Sequence, residues 1–173
     1  MLSYNCMLDK VLINLKVLSK VCEKGKITTL GGTNIALEAD KTLTPLYRYL
    51  NGDSRKKTVD TIQDVVTSAT EISNSMLQHS CMSLYERKEQ PTSFEINEYN
   101  KQYQQLKNLS AEMQNSLKGL SNLRVTYNGD ANVVAQLEVI SENVKRQIIE
   151  IESNLESKNN RNLKKRKERI VSF

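Results

Sequence analysis

A mainly α-helical fold carrying one small β-hairpin is predicted by three features of this sequence. Six Gly and two Pro in 173 residues are too few to break the chain at every strand end of a sandwich or barrel. Apolar residues recur at helical spacing along most of the chain. Between residues 26 and 38, two short stretches rich in β-branched and apolar side chains flank Gly31-Gly32-Thr33-Asn34, a turn sequence. The expected organisation is a helical head with its hairpin over 1–90, an antiparallel coiled-coil-like helical hairpin over 91–157, and a basic tail over 158–173.

Leu8, Val11, Leu12, Leu15, Leu18 and Cys22 share one face at the 3.6-residue period and predict the first helix, with Gly25 as its stop. The hairpin follows. Two strands alone are marginal in water, so it must lean on helices or on another chain. Thr44-Pro45 opens a short helix through Leu50. Asp53 then caps a longer one, with Val59, Ile62, Val65, Val66, Ala69, Ile72, Met76 and Leu77 on its apolar face, expected to reach the region of Ser83 to Arg87. Pro91 marks a linker.

Thr92 with Glu95 three residues on has the form of a capping box and opens the second half. There the period becomes a heptad. Tyr99, Leu106, Met113, Leu120 and Tyr127 are spaced by seven, with Leu109 and Leu123 between them and the polar Gln102 and Ser116 at the remaining seam positions. Gly129 supplies a stop and Asp130 a new N-cap. Leu137, Val144 and Ile151 resume the spacing of seven, accompanied by Val133 and Ile140. So short a connection makes the two helices antiparallel, held by Leu106, Met113, Leu120, Leu137, Val144 and Ile151. Tyr103, Leu117, Ile148 and Ile149 lie off that seam and call for a third surface, from the head or from a partner.

Charge is unevenly placed. Residues 158–173 hold seven Lys and Arg against one Glu, a net +6, so with +5 for the whole chain residues 1–157 carry −1. The tail is read as a solvated arm, with Ile170-Val171-Ser172-Phe173 as an apolar hook at its end.

Catalytic constellations are not indicated. His79 is the sole histidine, and its neighbour Ser80 and near neighbour Cys81 point elsewhere on a helix, so a nucleophilic pair needs a special backbone. Cys6, Cys22 and Cys81 are odd in number and lack C-x-x-C spacing, which argues against a disulfide framework or zinc knuckle and for thiols in a reducing compartment. The Gly pair lacks a phosphate-binding loop's Lys and hydroxyl. No metal or cofactor is expected. Neither is a secretion signal or an integral membrane segment, since no run of 18 apolar residues occurs.

Two clusters suit binding. Arg55, Lys56 and Lys57, at a predicted helix start, suit an acidic partner or a phosphate, or are simply solvated. Lys164, Lys165, Arg166, Lys167 and Arg169, with Phe173 beyond them, suit an acidic protein surface or a nucleic-acid backbone bound by counterion release.

The stretch from about residue 7 to 85 resembles small uncharacterised or structural proteins of nucleocytoplasmic large DNA viruses. The resemblance rests on the opening helix, Glu23-Lys-Gly-Lys26 before the hairpin, Leu43-Thr-Pro-Leu-Tyr-Arg-Tyr-Leu-Asn-Gly-Asp-Ser-Arg-Lys-Lys-Thr58, and the long helix after it. It covers less than half the chain and carries no catalytic pattern. It implies a minor capsid component in the virion that ties larger coat proteins, such as a major capsid protein, together. Two function classes therefore stand side by side: a non-enzymatic structural or assembly protein, able to form homo-oligomers through its helices, and a nucleic-acid-associated factor acting through its tail. Outside a virion, either would work inside the cell, in cytoplasm or nucleus.

Overall fold

The computed structural model describes residues 4–24, 55–86 and 89–171. Among the described residues four α-helices carry the fold: α1 (Tyr4–Lys24), α2 (Arg55–Leu77), α3 (Ser93–Thr126) and α4 (Ala131–Val171), with a 3-10 turn, Ser80–Glu86, between α2 and α3. Their apolar stripes close on one another in a single core that runs from Leu8 and Leu15 through Ile62, Ala69 and Met76 to Leu106, Leu120, Val144 and Leu155.

Cross-links between helices fix their directions. Gln105 donates to Asn5 at 2.7 Å and Ser116 Oγ to the Leu15 carbonyl at 3.3 Å, so α1 runs parallel to α3. Lys107 and Ser110 both reach Glu152, as expected for antiparallel α3 and α4. Gln147 donates to Ser73 and Asn74, and Glu86, further along the chain, meets Lys158 and Arg161, so α2 runs with α4. Each of α1 and α4 lies beside both α2 and α3, while α2 and α3 touch less. The result is a four-helix bundle whose chain alternates up and down, with α2 and α3 on a diagonal.

That diagonal explains the 3-10 turn. The link from α2 to α3 has to cross the bundle end, and it packs on both α3 and α4 as it does so. Met82, Leu84 and Tyr85 are buried there, and the Tyr85 ring meets Tyr99 edge-to-face with centroids 5.6 Å apart. The helix predicted to run on to about Ser83–Arg87 instead ends at Leu77. The His79 ring accepts the Cys81 backbone N–H at 3.2 Å, and Met82 N bonds the His79 carbonyl at 2.9 Å, which tightens the turn.

The capping box at the start of α3 is present in both halves. Thr92 Oγ1 accepts from Glu95 N at 3.1 Å, and Glu95 Oε1 accepts from Thr92 N at 3.1 Å. Thr92→Ala should cost about 1 kcal/mol, read from urea unfolding, while Thr92→Ser should be near neutral. At the far end of α3 the cap is Tyr127, whose N–H bonds the Leu123 carbonyl. Gly129, read as the stop, lies two residues past that cap and outside the left-handed region. Asp130 does cap α4, accepting from Val133 N at 3.2 Å.

One expectation is corrected and another refined. No strand occurs among the described residues, so the helix-plus-hairpin fold gives way to a helical one; residues 26–38 themselves lie outside the described set. Four helices already satisfy one another's apolar faces, and β-branched composition over a dozen residues is a weak signal without a sheet to join. The tail, read as a solvated arm, is helical through Val171. Fading apolar periodicity after Leu155 marks the end of the core and not the end of the helix. No Gly or Pro interrupts residues 131–171, and cations near a helix C-terminus are favoured by its dipole.

Candidate interaction surface

The seam residues Leu106, Met113, Leu120, Leu137, Val144 and Ile151 are buried, as are Leu109, Leu123, Val133 and Ile140. Of the two polar seam positions, Ser116 has a specific use: fully buried, it lets the α1 backbone approach and takes the Leu15 carbonyl as acceptor, whereas Gln102 is buried with its Oε1 left without a hydrogen-bond partner. The third surface demanded by the flanks is thus the head. Tyr103 and Leu117 pack on the core and Ile148 is buried, whereas Ile149 stays 64% exposed.

The basic end of α4 sits beside the 3-10 turn. Arg161 pairs with Glu86 and also donates to Ser157 Oγ at 3.0 Å. Lys158 Nζ lies 4.0 Å from the same carboxylate, with its side chain only 11% exposed. Glu86 therefore fastens the first turn of the basic segment to the bundle, and Lys164 beyond it is exposed. Lys165, Arg166, Lys167 and Arg169 follow on the same helix; Phe173 lies outside the described residues. Arg55, Lys56 and Lys57 form the first turn of α2. Since α2 and α4 are parallel, that cluster and the basic end of α4 occupy opposite ends of the bundle and cannot form one surface.

Halfway along, Lys107, Ser110 and Glu152 join α3 to α4. Ser110 Oγ donates to Glu152 Oε1 at 2.7 Å, and Lys107 Nζ to Oε2 at 3.1 Å. The Ser110 hydrogen bond holds the Glu152 carboxyl below its ordinary value, against the effect of burial and with help from Lys107. Bonding to Glu152 raises the Lys107 ammonium in turn. A lowered carboxyl stabilises the fold above its unfolded-state pKa and loses that contribution as pH falls through the folded one. A raised ammonium stabilises below its unfolded-state pKa and loses the contribution as pH rises through its own. The link is therefore at full strength between about pH 5 and 10. Glu152→Gln should cost about 1 kcal/mol or less at pH 7, because the Lys107 and Glu152 side chains are each more than a third exposed, and the difference from wild type should shrink as pH falls through the lowered carboxyl value. Denaturant titrations across that range check it.

A shallow groove of about 480 Å³ runs between α2 and α4, lined mainly by residues of polar type, Thr67, Thr70, Glu71, Asn74, Asn143, Arg146, Gln147 and Glu150 among them. Among the described residues, no group of three or more His, Cys, Asp or Glu could hold a metal ion, and no helix is long and apolar enough to cross a membrane. Glu86 is the residue that sequence reasoning missed. It lies 75 residues from Arg161, and its signal was only an acidic side chain just past an apolar run. Set against protein families, characterised proteins and solved structures, the chain matches none of them.

Proposed function

We propose that this chain is a non-enzymatic assembly protein, a minor capsid type of component that links larger coat proteins through the basic end of α4. The observation that carries this reading is the continuity of α4. One unbroken helix takes its first half from the core, through Val133, Val144 and Ile151, and ends in the basic segment. A partner held there is mechanically coupled to the whole bundle, which is what a linking protein requires and a loosely tethered arm does not supply. Glu86 adds to this by fixing the orientation of the segment at Lys158 and Arg161.

Cross-linking mass spectrometry on the protein in its native particle or cell extract tests the reading. Reproducible links from Lys164, Lys165 or Lys167 to a coat protein are the expected result. Absence of protein links, together with protection of the same lysines only when nucleic acid is present, would overturn it in favour of phosphate-backbone binding. In that case affinity should fall steeply between about 50 and 200 mM salt and vanish on deletion of 158–173.

A further inference from the structure

Helix α4 carries a second seam on the face turned away from the core. Residues 135, 142 and 149 alternate with 139, 146 and 153 at heptad spacing, and all six side chains are exposed: Ala135, Val139, Glu142, Arg146, Ile149 and Ser153. Val139 is 59% and Ile149 64% exposed, two of the large hydrophobic side chains that the fold leaves in water. Scattered singly, such side chains are ordinary on a protein surface; set in one row on one helix face, they form a stripe that a partner helix can cover.

The order of the residues identifies what does. Counted outward from the level of Val144, the stripe is complementary to its own reverse. Ala135 and Ser153 are equally distant and both small; Val139 and Ile149 are equally distant and both branched; Glu142 and Arg146 are equally distant and opposite in charge. In an antiparallel coiled coil, residues of the two alternating series meet across the axis in layers. A two-fold axis level with Val144 would therefore stack Val139 on the partner's Ile149, Glu142 on the partner's Arg146, and Ser153 on the partner's Ala135, each layer occurring twice. Such self-matching is the signature of an isologous contact.

We propose that the outer face of α4 pairs antiparallel with the same face of a second copy of this chain. The two charged groups are already held along the helix surface: Glu142 accepts from Lys145 at 3.2 Å and Arg146 donates to Asn143 at 2.7 Å. A single seam from Ala135 to Ser153 is about 27 Å long. It buries less than the roughly 1,200 Å² of the smallest stable interfaces, so the dimer is a weak, reversible one that becomes firm when two chains are held side by side in an assembly. The contact does not depend on what the basic end binds.

Sedimentation equilibrium on the full chain, with E142R and R146E variants, tests the pairing. These positions are solvent-exposed, and circular dichroism should report an unchanged fold. Wild type should self-associate to a dimer. Each variant alone should dimerise at least about 10-fold more weakly, since like charges then face each other in both central layers. An equimolar mixture should recover wild-type association. In the mixed dimer one chain brings two arginines to the central layers and the other brings two glutamates, so both layers again join opposite charges. A wild-type chain that remains monomeric to about 0.5 mM overturns the proposal. So does a single variant that associates as wild type does, or a mixture no stronger than its components.

Discussion

Val144→Asp is expected to unfold the protein at room temperature. Val144 is 1% exposed on the inner face of α4, where it meets the seam of α3, and no cation among the core side chains stands ready to pair with a carboxylate. An unpaired buried charge costs about 3–5 kcal/mol or, more often, is relieved by protonation or by opening the site. The total stability of a domain this size is about 5–15 kcal/mol, so at the low end of that range the whole margin disappears. The far-ultraviolet dichroism at 222 nm should fall by more than half, and recover partly as acidification neutralises the new group. Val125→Lys serves as its control. That side chain is 70% exposed in the last turn of α3, where a cation is favoured, and its substitution should leave the unfolding midpoint essentially unchanged. Equal damage from both changes would mean that the seam is not the core.

Leu84→Ala is the second large effect, and it is local. Leu84 has no exposed surface and lies at the centre of the 3-10 turn that closes the bundle end. Removing its branched methyls should cost about 3 kcal/mol, the sum of lost transfer free energy and the void left behind. The turn also presents Glu86 to Lys158 and Arg161, so loosening it should release the basic segment before the remainder of the bundle. Hydrogen exchange should accelerate over residues 158–171 in native buffer, with much smaller changes around Val133 to Val144. Uniform acceleration along α4 would separate the turn from the basic end and remove its anchoring role.

Much of this was legible in the sequence. Thr92 and Glu95 show how a short-range rule succeeds: both hydrogen bonds of the capping box span three residues and depend on nothing else. The inner seam was legible for a similar reason, since spacing by seven reports which side chains share a face regardless of what covers it. What covers it was not. Gln102 and Ser116 look like defects in a two-helix seam, and Ser116 becomes intelligible only once α1 is placed against it, about 100 residues away in sequence. The 3-10 turn is dictated by a diagonal helix arrangement that no local pattern encodes. β-branched composition over a dozen residues, as in 26–38, is a weak signal of strands where no sheet is at hand to join. Among the candidate binding residues, the basic run was plain as charge, but its helical state and its fastening to Glu86 depend on tertiary placement.

The alternation of the four helices gives the molecule two unlike poles. The start of α1, the 3-10 turn and the basic end of α4 share one; the turn at Asn128 and Gly129, with the start of α2, marks the other, about 50 Å away along α3. A side chain built at Gly129 would meet nothing within 4 Å, so once the native cysteines, exposed Cys6 above all, are replaced by serine, a cysteine there can carry a probe without disturbing the fold. Because that probe would ride at the pole opposite the basic segment, one distance from it to a landmark on a larger particle would tell which way each copy points. Chain direction, in this protein, doubles as a compass.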